Sequence, residues 1–331
     1  MSWGVRSRRR VRLAEGARVL DILVITAPLY LLILLGYALT RGGLFTREGI
    51  NALGTFVMYV AMPALIFLST SSRRISEVAH PTYLLGFAVT SLVALLAGYV
   101  WSRKVGRTPR AAAAFDAMGS GGANSGFVGF PVLLMVLPSV AGGVFGMNVL
   151  VETLVTVPLC FFLAERGNAR TGLWASIRPA LIAMVRVPVL LAVVSGLAVS
   201  ASGLVLPGVI RESFDLLGRV STGLALFSVG GMLVGLSLRG RVGRVVAVST
   251  AKLLVMPGLA VGVAFGLRAL GLPPLEGELF AALVLSAAMP TWTSLPVFAA
   301  RYGETDVPPA VLLVTTALSF LTLSGLLAVL T

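Results

Sequence analysis

The chain has 331 residues, 57% hydrophobic and only 12% charged, with a mean hydropathy of +0.97. A soluble domain carries roughly 25% charged residues, so a water-facing globule is excluded and most of the surface must face lipid. The net charge is +13, with 24 arginines among the 26 basic residues. They sit in short segments between apolar runs, without the basic, aromatic-laced stripe of a nucleic-acid binder, and so point to anionic lipid headgroups.

A bilayer-crossing helix needs about 20 mostly apolar residues. Taken in chain order, windows of that kind cover 22–40, 50–69, 82–101, 111–136 and 141–164, then 187–202, 213–237, 245–267, 279–300 and 308–330. The expected fold is an all-α integral membrane protein of ten spans. A basic arm occupies 1–20, the first five spans 21–165, a short basic connection 166–186 and the second five spans 187–331.

The loops after spans 1, 3, 5, 7 and 9 hold fourteen basic residues, against four in the even-numbered loops. The positive-inside rule then places the odd loops in the cytoplasm of a cell-membrane protein, with both termini outside. The arm "MSWGVRSRRRVRL" opposes that orientation. Either it precedes a true start near Val19 or Leu20, or it is genuine and an extra segment behaves unusually.

Spans 4 and 9 are interrupted. "GSGGANSGFVGFP" (119–131) breaks the fourth and "MPTWTSLP" (289–296) the ninth. The two halves also match at an offset of 160 residues, Pro28 and Gly36 with Pro188 and Gly196, and Phe67 with Phe227. Five spans per half is an odd number, so the second half inserts upside down relative to the first. That is the plan of inverted-repeat transporters, whose broken helices meet near the midplane. Non-helical backbone at that depth is tolerated only inside protein or beside a water-filled cavity. A break frees N–H donors at a half-helix start, where the dipole favours an anion. Asn124 and Thr291 add neutral donors without the cost of a buried charge. The competing reading makes Gly119, Gly121 and Gly122 close-packing positions between helices.

At these residues the chain resembles the auxin efflux carrier family, which includes plant auxin carriers and bacterial malate- or malonate-permease-like proteins. The resemblance rests on "LLILLGYALTRGGLFTREGINALGTFVMYVAMPALIF", on "NSGFVGFP" through Asn124, Gly129 and Pro131, and on "AMPTWTSLPVFAARYG", "LALFSVGGML", "AKLLVMPGL" and "TTALSFLTL". It implies two inverted five-helix repeats with broken, crossing helices 4 and 9. It also implies a scaffold of helices 1, 2, 6 and 7 that forms homodimers, and an organic anion bound beside the crossing. Carried over by position, Asn124, Ser125, Pro290 and Thr291 are the expected substrate-binding residues, and Ala123, Gly129, Pro131 and Pro296 set the half-helix geometry. Ala123 stands where plant carriers have proline and Thr291 where they have glutamine, which puts auxin itself in doubt as the substrate.

Three ionisable residues fall within spans. Glu152, the deepest, is the first candidate for proton or cation coupling and Asp116 the second; Asp116 otherwise sits at the cytoplasmic interface. Lys252 either serves function at depth or snorkels to that interface. Asp215 and Arg219, four residues apart, are expected to pair locally. Cys160 and His80 are each the only residue of their kind, so neither a disulfide nor a Cys/His metal cluster is expected. No Walker loop is present, and no cofactor is implied. The function expected is secondary transport of a small organic anion, a carboxylate, by alternating access. The alternatives are a sodium- or proton-coupled carrier of the bile-acid-symporter-like fold, a membrane enzyme, or a non-transporting receptor.

Overall fold

The computed structural model describes residues 27–71, 80–165, 188–236 and 241–330, and within them every regular element is helical. The basic arm 1–20 and the connection 166–186 lie outside these residues. The helices are α1 (Ala27–Arg41), α2 (Arg47–Ser71) and α3 (Pro81–Lys104), then α4 (Arg110–Gly121). Next come α5, which joins a π turn at Ser125–Gly129 to Phe130–Val136, α6 (Ala141–Glu165), α7 (Pro188–Ser202) and α8 (Gly208–Met232). The last are α9 (Val242–Ala269), α10 (Gly277–Ala288), α11 (Leu295–Ala300) and α12 (Val307–Leu330). Among these, α2, α3, α6, α9 and α12 are each long and apolar enough to cross a bilayer.

Helix α8 starts five residues before the expected 213. Its first turns carry Arg211, Glu212 and Asp215, which lower hydropathy without opposing a helix. Thr46 caps α2, its hydroxyl accepting from the Gly49 N–H at 3.1 Å, and Pro81 opens α3 at a position where no N–H is needed.

Four π turns occur among the described residues, at Val57–Ala61, Ser125–Gly129, Glu152–Thr156 and Ala251–Val255. Each ends two residues before a proline: Pro63, Pro131, Pro158 and Pro257. A proline ring inside a helix clashes with the carbonyl four residues back and lacks an N–H to bond it. Widening the preceding turn relieves both problems and keeps the helix continuous.

The helices pack in two groups. In the first, α2 lies against α7 and α8, and α1 crosses α8 almost backbone to backbone. A Cβ on Gly36 would stand 2.0 Å from the Phe227 carbonyl oxygen, and one on Gly230 1.8 Å from that of Ile33. Across α7 and α2, a Cβ on Gly196 would lie 2.9 Å from the Phe67 carbonyl oxygen. The second group comprises α3, α4, α6, α9, α10 and α12. Gly121 of α4 meets Leu95 and Ser91 of α3, and Gly119 meets Val248 of α9, so both serve close packing. Between the groups contacts are made largely by side chains, such as Tyr30 of α1 with Ser319 (3.1 Å) and Phe320 of α12.

One end of the second group is clamped by charge. Arg244, in the first turn of α9, donates to both carboxylate oxygens of Asp116 on α4, at 3.0 and 2.9 Å. Ser102 of α3 also donates to Asp116, and Glu304 lies 3.6 Å from Arg244. Asp116 is buried, and a buried carboxylate is tolerated when a bidentate guanidinium holds it.

Two expectations follow for folded protein in detergent. Gly230→Ala forces α1 and α8 apart and should cost about 2 kcal/mol or more, whereas Gly262→Ala on α9, with nothing within 4 Å of the new Cβ, should be neutral or gain up to about 1 kcal/mol; thermal melts of the two variants compare them. Arg244→Met leaves Asp116 buried without its partner and should cost about 3–5 kcal/mol, much of it recovered in the Asp116→Asn, Arg244→Met double variant.

Candidate functional site

Helix α4 stops at Gly121 and α10 at Ala288, each inside the second helix group. Gly122 (φ −89°, ψ 143°) and Met289 (φ −59°, ψ 149°) then adopt extended conformations. The two extended segments are joined by one backbone hydrogen bond, from the Asn124 N–H to the Pro290 carbonyl, at 2.8 Å. The Asn124 side-chain oxygen accepts the Phe127 N–H at 3.1 Å and so caps α5. Gly122 lies under the Trp292 indole, where a Cβ would stand 3.1 Å from the ring. The Thr291 N–H donates to the Thr315 hydroxyl of α12 at 3.4 Å.

Two polar groups at this crossing have no partner among the described residues: the Asn124 amide nitrogen and the Thr291 hydroxyl. Asn124 is 3% exposed and Thr291 fully buried. A buried donor left without a partner costs about 1–3 kcal/mol, so such groups in a lipid-embedded core call for an explanation.

The other expected residues surround the crossing at different depths. Ala123 and Pro290 form its extended backbone, and Gly129 packs against the Asn124 carbonyl and Met289. Ser125 donates its hydroxyl to Glu152 at 2.6 Å. Pro131 follows the π turn of α5, and Pro296 lies in the first turn of α11. Asp116 lies earlier on α4, bound to Arg244 rather than at the crossing. Lys252 does not snorkel: it is completely buried and donates to the Ala287 carbonyl at 2.9 Å and to Met256 Sδ at 2.8 Å. The carbonyls at the end of α10 lack intrahelical partners and draw the ammonium inward. Nearby, Tyr83, Asn148 and Ser286 close a buried hydrogen-bonded triad.

A cavity of about 790 Å³ runs between the two helix groups. One wall is α2 and α8; the other is Phe127 of α5 and the segment 293–300. Arg47, Asn51, Thr55, Thr293 and Ser294 supply its polar lining, with no Asp or Glu among the lining residues. The Arg47 guanidinium also donates to the Val234 carbonyl at 2.8 Å, which holds it at the mouth. Asn124 and Thr291 do not line the cavity; Phe127 and Thr293, close to them in the chain, do. Its lining reaches the start of α2 at Arg47, the end of α8 at Met232 and the end of α11 at Ala300.

The polar wall of this cavity had a visible sequence signal. Arg47, Asn51, Thr55 and Tyr59 recur every four residues along span 2, one face of a helix, and all four line the cavity. Reading Arg47 only as a loop charge hides the stripe.

A family model described as membrane transport protein matches residues 21–327 of the chain. "Uncharacterized transporter YfdV" of Escherichia coli (strain K12) is 27% identical over 285 residues, covering 83% of this chain and 87% of that protein. "Putative malonate transporter" of Rhizobium meliloti (strain 1021) is 25% identical over 324 residues, covering 93% and 95%. An "Uncharacterized transporter" of Methanothermobacter thermautotrophicus is 26% identical over 306 residues, covering 88% and 93%. The interrupted helices, the apolar spans and this match agree, and the chain belongs to the membrane transport protein family, of the auxin efflux carrier type.

Proposed function

We propose that the protein is a secondary carrier of a small organic anion, a mono- or dicarboxylate, working by alternating access. The observation that carries this reading is the cavity between the two helix groups. Among the described residues its only lining charge is the Arg47 cation, its other polar groups are neutral, and its far wall is built from the turns beside the two breaks. A guanidinium binds carboxylates through two parallel hydrogen bonds, and hydroxyl and amide groups orient the remainder. A volume of about 790 Å³ suits a small molecule. One relative is named for malonate, a compound of this class.

The ten-span, inverted-repeat plan is part of the proposal, with α4 and α5 together forming span 4, and α10 and α11 span 9. Reciprocal contacts support it: Gly36 meets Phe227 while Gly196 meets Phe67, and both members of one pair lie 160 residues from their counterparts in the other. Such an exchange of partners is what a twofold relation between repeats requires. The helix group α1, α2, α7 and α8 would be the static scaffold and the second group the moving part, with the odd loops in the cytoplasm of the cell membrane. A homodimer through the scaffold has support in α8, where the Asp215–Arg219 ion pair (2.7 Å) stands exposed beside the exposed Leu216 and Val220.

Binding is testable with purified protein and malonate. The wild type should be stabilised in thermal melts, and Arg47→Ala should weaken apparent affinity about 10-fold or more, with high salt mimicking the loss. An Arg47→Ala variant that responds like the parent would remove the cavity as the binding site. Thr291→Val keeps the shape of the crossing but removes a hydroxyl without a partner. Its unliganded melting temperature should hold or rise, by the equivalent of about 1 kcal/mol, while malonate counterflow in proteoliposomes should fall about 10-fold; unchanged counterflow would exclude Thr291 from the transport path.

A further inference from the structure

Two charges lie beside the crossing, where neither composition nor packing requires them. Glu152 sits on the π turn of α6 and is half-buried. Its carboxylate accepts from the Ser125 hydroxyl, at the first residue of α5, and from the Trp292 indole, just after the second break. Lys252 sits on the π turn of α9, sealed from solvent, with its ammonium on the Ala287 carbonyl that precedes the same break. The ammonium lies within Coulombic reach of the Glu152 carboxylate. Both interrupted spans thus touch this pair: α5 through Ser125, α10 through Ala287 and the chain after it through Trp292.

The surroundings isolate the pair. From α3 the ionisable group facing Glu152 is Tyr83, whose hydroxyl is engaged by Asn148 and Ser286. Asp116 of α4 is committed to Arg244. The acidic residue of α10 is Glu278, which contacts Ser139 at the opposite end of that helix from Lys252. Helices α5, α7 and α12 carry no ionisable side chains.

We propose that Glu152, with Lys252 as its fixed counter-charge, is a proton-binding site filled and emptied once in each transport cycle. The proposal deepens the carrier reading and rests on it. With Glu152 ionised the pair has no net charge. One proton, taken from water by the carboxylate, leaves a charge of +1 that balances one negative charge of a bound carboxylate. The loaded crossing then moves through the membrane field without the cost of carrying net charge. Glu152 is the group that exchanges the proton because it is the accessible member. Its bonds to Ser125 and Trp292 make occupancy felt at both breaks, so it is a positioning residue as well as the proton carrier.

The test has two independent readouts on the full chain in proteoliposomes. The first is the infrared carboxylic-acid band, followed with Trp fluorescence from about pH 5 to about pH 9, without substrate. A titrating band in the wild type that is missing in Glu152→Gln and displaced in Lys252→Met supports the site; a wild type without such a band, or a band that persists in Glu152→Gln, overturns it. The second follows a lumenal pH dye during malonate movement. Proton movement with malonate in the wild type, lost in Glu152→Gln, supports coupling; malonate movement without dye response overturns it. If malonate does not move while the Glu152 band titrates, the proton site stands and the malonate-carrier reading falls. Where a variant fails to fold, a wild type without a titrating band, or malonate movement without a dye response, still overturns the proposal.

Discussion

The whole arrangement depends on satisfying backbone hydrogen bonds in a place without water. Two helices stop inside the protein, and each stop leaves carbonyls behind it and N–H groups ahead of it. The structure answers locally. The Asn124 N–H finds the Pro290 carbonyl, the Asn124 side chain caps the Phe127 N–H, and Lys252 covers the Ala287 carbonyl. The answers draw on Asn124 before α5, on Lys252 of α9 and on the carbonyls at and after the end of α10, so the breaks can exist only where α5, α9 and α10 are already packed together. Closeness of packing at Gly119 and Gly121 is therefore a condition for the site rather than an alternative to it.

The same logic distinguishes the two helix groups. Within the first helix group, glycines bring backbones together so closely that a single methyl group would force them apart. Within the second, Arg244 ties α9 to α4 and to the loop before α12. Between the groups lie a shared apolar core of side chains and a cavity. Backbone-close contact inside each group, against side-chain packing and a cavity between them, is the distribution that the proposed rigid-body displacement needs.

Much of this was readable from residue order. The apolar windows located the helices, because length and hydropathy are what the bilayer demands. The paired interruptions located the crossing, since glycine, asparagine and proline oppose a helix interior through local chemistry. The four interior prolines carried a further signal, the wide turns that precede each of them. Lys252 was harder, because its placement depends on an orphaned carbonyl 35 residues away in sequence. Arg47 was hidden for the opposite reason: a charge at a span end already has an ordinary explanation in orientation, and only the period-four stripe below it points inward.

The offset that relates the repeats also relates the two ends of the α2–α8 pair. Asn51 and Thr55, on the cavity wall, correspond to Arg211 and Asp215. Those residues, with Glu212, line a second cavity of about 500 Å³ at the opposite end of α8, closed on its other side by Leu65, Leu68 and Ser69 of α2. The position is repeated but the charge is not. Among the described residues, the Arg47 guanidinium at one end faces neutral groups, and at the other the Arg211 guanidinium shares its space with two carboxylates. An anion gains Coulomb attraction at the first mouth and meets near-cancellation at the second. The two ends of the α2–α8 pair thus differ in size and in charge, and in the proposed alternating-access cycle a difference of that kind would set which face captures an anion at low concentration and which releases it.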